Sequence, residues 1–184
     1  PSRDARPSGF LFDFTLLCPS VVSPSSEMPA GLRLRPLHAD DYDRGFLDVL
    51  AQLTSVGKMT RGMWDERFRC MQSTHPSSYY VCVIEDIDSS RVVAAATLVL
   101  EWKFIHEAGC RGRVEDVVVD SSQRGKQLGV LLNRVLVRLA QKLGVYKVSL
   151  ECKDKLISFY EKFGYKKDVG NNFLVQRFDD RSKI

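Results

Sequence analysis

The sequence predicts an α/β (α+β) fold. Its central sheet is mixed and mostly antiparallel, with helices on both faces and one parallel strand pair. Three observations predict it. Residues 113–144 run strand, basic glycine-containing turn, long helix, with Val117, Val118 and Val119 as the stiff end of the strand. Residues 79–119 hold three β-rich runs joined by short loops, which pair antiparallel. The runs before and after the long helix are joined by a crossover, so they lie parallel.

Taken in order, residues 1–31 read as an arm. Pro1, Pro7, Pro19, Pro24 and Pro29 punctuate it, with serines between, and Phe10, Leu11, Phe12, Phe14, Leu16 and Leu17 form an apolar patch inside it. Asp13 interrupts that patch, which argues against a secretory signal. The arm is expected to pack on the domain or on a partner chain. The domain is residues 32–184. Residues 32–37 alternate Leu and Arg up to Pro36, as an edge strand does. Asp40 or Asp41 is placed to cap a helix running to about Leu53, with Phe46, Leu47, Leu50 and Leu53 as its apolar stripe. Thr60 opens a second helix to about Gln72, with Met63, Trp64, Phe68 and Met71 facing inward. Strands follow at 79–85, 92–103 and 114–119, with a hairpin turn at 86–90 and a loop at 105–112. In the long helix Leu128, Leu131, Leu132, Val135, Leu139 and Leu143 fall at helical spacing, and Gly144 ends it. A strand at 145–152, a short helix at 157–163 closed by Gly164 and a last strand at 171–178 complete the chain.

The 184 residues suffice for one domain with a real core, and 44% hydrophobic with 27% charged residues is an ordinary globular balance. A net charge of +4 suits a small phosphorylated ligand and does not call for nucleic acid. No apolar run reaches the length of a membrane span. Cys18, Cys70, Cys82, Cys110 and Cys152 are scattered and odd in number, with no Cys-x-x-Cys, and His38, His75 and His106 lack ligand spacing. Neither a metal site nor a disulfide framework is expected. The thiols suit a reducing cytoplasm, and attachment of the arm to a membrane surface stays open.

The turn at Arg124, Gly125, Lys126, Gln127, Leu128 and Gly129 carries the first functional signal. A helix start offers backbone N–H groups without internal partners and a positive dipole, and glycines allow close approach, so a pyrophosphate fits there. By glycine spacing alone the turn reads as a plain βα turn with two basic surface residues. It lacks the spacing of a P-loop or of a dinucleotide-binding turn. It resembles the acetyl-CoA turn of the GNAT superfamily of N-acetyltransferases, whose pattern is Arg/Gln-x-x-Gly-x-Gly/Ala after a strand. Arg124 and Gly129 match its ends, and Gln127 stands where the middle glycine belongs. The helix-Gly-aromatic segment 159–165 resembles that superfamily's usual ending.

Finer pieces resemble the glucosamine 6-phosphate N-acetyltransferase family. They are Leu53-Thr54 before a Val-Gly pair, the run Lys103, Phe104, Ile105, His106, the strand at 113–119, the strand at 146–152, and the close Gln176-Arg177-Phe178. Together they span residues 32–178. The resemblance implies a GNAT fold whose parallel strand pair forms the acetyl-CoA cleft. It implies direct transfer of the acetyl group from acetyl-CoA to the amine of glucosamine 6-phosphate in a ternary complex, a step in UDP-N-acetylglucosamine biosynthesis. It places Thr54, Lys103, Phe104, Ile105, His106, Glu115, Asp116 and Arg177 at the sugar phosphate. Glu115, Asp116, Val117, the turn from Arg124 to Gly129, and Tyr160 fall to acetyl-CoA. Glu151 is the candidate to orient or deprotonate the amine, and Tyr160 the candidate acid for the leaving thiolate. Leu156 stands where many GNAT proteins place an Asn. The resemblance also implies a homodimer joined through the C-terminal strands, with Arg177 reaching the partner's cleft.

Glu115 and Asp116 are neighbours on a strand, so regular geometry points them to opposite faces and they form no dyad. Each cation taken singly also reads as solvated surface charge, Tyr160 as core, and Cys152 as a thiol with no histidine near it in sequence. Two other functions remain: a GNAT enzyme for another amine, such as a protein or polyamine, and an acetyl-CoA-binding protein without turnover. A polyamine site would be acidic, whereas this sequence gathers cations.

Overall fold

The computed structural model describes residues 9–22, 28–176 and 178. Five strands form one sheet in the order β1-β2-β3-β4-β5: Leu32–Pro36, Tyr79–Asp86, Arg91–Trp102, Cys110–Val119 and Lys147–Ser149. The first four pair antiparallel, and β5 pairs parallel to β4. β2 and β3 are buried along most of their length, which fits their near-continuous apolar sequence.

Helix α1 is Phe46–Ala51 and α2 is Arg61–Gln72. Thr60 caps α2, its hydroxyl accepting from the Met63 amide. Trp64 and Phe68 are buried as expected, but Met63 is exposed, lying beyond the width of the inward stripe. Asp41 does not cap α1. It sits in a separate 3-10 turn, Ala39–Tyr42, fully buried, and accepts two hydrogen bonds from Arg35 at 2.7 and 2.8 Å. Arg35 also donates to Glu85 at 3.0 Å, so this arginine of the edge strand is buried with both its partners. A buried guanidinium persists only when neutralised and hydrogen-bonded, and two carboxylates do that here.

The arm packs into the domain over residues 9–22. Leu11, Phe12, Leu17 and Val21 join the main core, and the Leu11 amide donates to the Leu37 carbonyl at 2.8 Å. Cys18 meets Lys142 at 2.9 Å, and that hydrogen bond with those from Ser20 brings the thiol down to about 6.

Between β3 and β4 lies α3, Ile105–Ala108, a single turn in which His106, Glu107 and Ala108 have left-handed backbones. Helix α4, Leu128–Lys142, is the crossover. It buries Leu128, Leu131, Leu132, Val135, Leu136, Leu139 and Ala140 against the sheet. Helix α5, Ile157–Glu161, ends shortly before Gly164, whose φ of +88° suits glycine. Residues 171–176 belong to no strand, contrary to expectation; no strand among the described residues pairs with them, and they lie exposed. Arg177 falls outside the described residues.

Candidate active site

β4 and β5 share only three register pairs, from Arg111 with Lys147 to Arg113 with Ser149. Beyond them the strands part. The expected strand at 145–152 therefore shrinks to three residues, and Glu151 stands past its end. On the other side of β4 the register slips: Thr97 faces Glu115, but Ala95 faces Val118. Two residues, Asp116 and Val117, thus oppose Ala96, a β-bulge. Asp116 has φ +52°, so the regular alternation that would set Glu115 and Asp116 on opposite faces does not hold at this point. Asp116 is exposed by area, yet the surrounding protein desolvates its carboxyl and raises its pKa.

Arg113 organises the mouth of this opening. It donates to Glu115 at 3.0 Å and to Glu151 at 2.5 Å. Burial pulls its pKa down, but the hydrogen bonds and charges of Glu115 and Glu151 outweigh that and hold it above its usual value. The arrangement brings two carboxylates from distant parts of the chain to one cation. Sequence alone gives Arg113 no role, although it opens the strand at 113–119. Its spacing of two from Glu115 put both on one strand face, and that was the available signal.

A second cluster uses the same spacing. Glu101 meets Lys103 at 2.7 Å and Arg111 at 3.3 Å, and the Lys103 hydrogen bond, opposed by burial, sets its carboxyl below the usual range. Arg111 keeps a buried Nε with no hydrogen-bond partner among the described residues. Lys103 leads into the α3 turn, where Phe104, Ile105 and His106 are all exposed and the His106 ring lies 4.3 Å from that of Tyr146, just before β5. Thr54 is exposed in the loop after α1. Among the described residues no hydrogen bond or ion pair joins Thr54 to the α3 turn.

After β4, Asp120 caps a short turn, Ser121–Gln123, its carboxylate accepting from the Ser122 amide and hydroxyl. Gly125 follows at φ +88° and Gln127 at φ +61°. Helix α4 begins only at Leu128, so Arg124 to Gln127 precede the helix instead of opening it. The left-handed backbone at Gln127, which costs a non-glycine residue about 1 kcal/mol, explains why glycine would suit this place and shows that glutamine adopts the same shape. The first α-helical bond runs from the Leu131 amide to the Gln127 carbonyl, and among the described residues no side chain caps the end. The amides of Leu128, Gly129 and Val130 are thus left facing outward from the helix start.

Tyr160 is buried on α5 beside Tyr165, ring centroids 6.0 Å apart. Burial and then the nearby Cys152 raise its pKa. The Tyr165 hydroxyl is buried without a partner among the described residues, and burial pushes its pKa up to about 12. Cys152 is exposed, and its thiol is raised by desolvation and by Asp154, the opposite of an activated nucleophile. A cavity of about 910 Å³ takes in Glu151, Cys152, Tyr160 and Tyr165, but it runs along the outer edge of β5 and is lined by none of β4 or the 124–129 turn.

A family model described as the acetyltransferase (GNAT) family matches residues 42–165. The chain belongs to that family. It is 49% identical over 150 residues to a Drosophila melanogaster protein named "Probable glucosamine 6-phosphate N-acetyltransferase", covering 81% of this chain and 68% of the relative. Glucosamine 6-phosphate N-acetyltransferase of Arabidopsis thaliana is 38% identical over 137 residues, covering 74% and 91%. The crystal structure of the Arabidopsis glucosamine-6-phosphate N-acetyltransferase superposes with a TM-score of 0.74 at 35% identity over 81% of this chain and 99% of that one. The GNAT fold, with its single parallel strand pair, is therefore the fold of this chain, and membership implies acetyl-CoA as cosubstrate.

A β-carbon added at Gly129 would meet only Phe159 and Val119, both at 3.8 Å, an ordinary contact. Gly129→Ala is therefore expected to leave the melting temperature unchanged or raised, since Ala favours a helix over Gly by about 1 kcal/mol. Because the family pattern admits Ala at this place, the same variant should leave the KM for acetyl-CoA little changed, whereas Gly125→Asp, which sets a carboxylate beside the expected pyrophosphate, should raise it far more than the KM for the sugar. Steady-state kinetics beside a thermal melt check both; an unchanged KM for acetyl-CoA in Gly125→Asp counts against this turn as the cofactor site.

Proposed function

We propose that this chain transfers the acetyl group of acetyl-CoA to the amine of D-glucosamine 6-phosphate, releasing N-acetylglucosamine 6-phosphate and CoA. The observation that carries the chemistry is the Arg113 clamp, which holds Glu151 at the mouth of the gap between β4 and β5. The named activity of the Drosophila and Arabidopsis relatives supports the choice of substrate.

In this reading the pantetheine arm extends along the β4 edge that β5 leaves free, using backbone groups near Glu115, Asp116 and Val117. The pyrophosphate takes the amides at the start of α4, with Arg124 and Lys126 supplying charge. Glu151 accepts the amine's proton, directly or through a water. Tyr160, with its raised pKa, stays protonated and donates a hydrogen bond to the thiolate as charge develops there. Full proton transfer from it is uphill against a thiol of about 8.5. The raised thiol of Cys152 favours direct attack without an acetyl-enzyme. The sugar phosphate is read by Lys103 and His106, with the orphan Nε of Arg111 as a further donor seeking an acceptor.

We also place the site in a homodimer. β5 is an edge strand three residues long, flanked by a groove, while Phe173, Leu174 and Val175 stand 63%, 88% and 54% exposed on a segment that pairs with nothing in the described residues. An unpaired edge beside an unpartnered apolar segment fits exchange of C-terminal segments between two copies.

Plain glucosamine is expected to turn over far more slowly than its 6-phosphate. Lys103→Ala should raise the KM of the phosphorylated sugar by about 10- to 100-fold, the loss of one charge-assisted hydrogen bond, and leave the plain sugar nearly unaffected. Equal turnover of both sugars by the parent enzyme contradicts the reading. For the dimer, an Arg177→Ala chain coexpressed with a Glu151→Gln chain should regain activity that neither shows alone. A sedimenting monomer, or a verified mixed dimer without recovery, contradicts the shared site.

A further inference from the structure

One exposed side chain joins the two loops that the proposed reaction assigns to different ligands. Gln52 stands at the end of α1, and the loop that carries Thr54 leaves directly from it. Its amide reaches across to the turn that follows β4. Gln52 Nε2 donates to Asp120 Oδ2 at 2.7 Å, and Gln52 Oε1 accepts from the Ser121 amide at 2.8 Å. The partners fix which end of the amide is which, because a backbone N–H only donates and a carboxylate only accepts. The other oxygen of Asp120 is committed to Ser122, at 2.8 Å to its amide and 2.6 Å to its hydroxyl. Those bonds do most to hold the Asp120 carboxyl below its usual pKa and keep it an acceptor at neutral pH.

The turn held in this way is the one that sets the amides of α4. The Gln123 amide donates to the Asp120 carbonyl at 2.9 Å, and Gln123 in turn accepts from Lys126 at 2.6 Å. A displacement of Asp120 is thus passed along hydrogen bonds to the residues that precede Leu128. On the other side, the Thr54 amide bonds to the Leu50 carbonyl at 3.2 Å, so the loop's first residues are fixed to the same helix end. Sequence reasoning left Gln52 unremarked: a glutamine next to a helix end reads as surface, and its partners lie 68 and 69 residues away.

We propose that Gln52 is a positioning residue that couples the sugar loop to the acetyl-CoA turn, so that each ligand binds more tightly when the other is in place. This inference rests on the acetyltransferase reading above. Ligand at either loop orders the hydrogen-bonded unit, and the second ligand then meets a loop already ordered. By linkage the effect is the same in both directions.

The test measures binding without turnover, using CoA and glucosamine 6-phosphate as the pair. Isothermal titration gives the affinity for CoA with and without saturating sugar phosphate. The parent is expected to show a ratio of about 5-fold or more, within the usual range of such couplings. Gln52→Met keeps the length and loses both hydrogen bonds. Gln52→Glu keeps the acceptor for Ser121 but turns a carboxylate toward Asp120. Both should lower the ratio at least about threefold while changing the affinity for each ligand alone by less, the reverse of what loss of a merely structural contact gives. The sugar-first titration should return the same ratio. Parent-like ratios in both variants, with both ligands still bound, overturn the coupling and leave the acetyltransferase reading standing. A parent that binds neither ligand refutes that reading and the coupling with it, and a parent ratio of one overturns the coupling alone.

Discussion

Opposite Ala96, β4 carries Asp116 and Val117 where a regular ladder has one residue, and Asp116 adopts a left-handed backbone to accommodate it. A left-handed backbone costs an L-residue about 1–2 kcal/mol. The fold tolerates that because β3 on one side is buried almost throughout and α4 presses a continuous row of leucines and valines onto the sheet. The bulge bends β4 just beyond the last register pair with β5, and the two parallel strands cannot stay paired. Everything proposed for the reaction follows from that gap. It frees backbone groups on β4, it leaves Glu151 past the end of β5, and it aims the strand into the turn that starts α4.

Charge is then distributed along the opening in an orderly way. Arg113 balances Glu115 and Glu151, while Glu101 balances Lys103 and Arg111. The two groups sit on the same strand face two residues apart, so each carboxylate is fixed by a cation and each cation by a carboxylate. Such partly exposed pairs add little to folding stability. Their effect is to hold side chains in place at a site that has to receive a phosphate and a neutral amine.

Much of this was legible from the residues. Apolar β-rich runs bounded by turns located β2, β3 and β4, and the leucine periodicity located α4, because both patterns report which residues meet the core. The bulge was not legible: Glu115, Asp116 and Val117 read as ordinary strand, and a one-residue slip leaves no mark in composition. Buried Arg35 was missed for a related reason, since its partners Asp41 and Glu85 come from a turn and from another strand. Glu151 and Tyr160 were singled out by resemblance, whereas Arg113 and Gln52 emerge only when distant segments are brought together. Of the strand anticipated at 171–178, residues 171–176 pair with no strand among the described residues, and the neighbour proposed for them belongs to a second copy.

The central claim is that the gap beside the β4 bulge receives the cosubstrate, and hydrogen–deuterium exchange tests it most directly. Adding CoA is expected to slow exchange at the backbone amides of residues 115–119, which would gain partners from the pantetheine arm, and of residues 128–130, which would gain the pyrophosphate. The amides of β1 and β2 should be unchanged. Protection confined to the groove along the outer edge of β5, with residues 115–119 and 128–130 exchanging as before, would contradict the account.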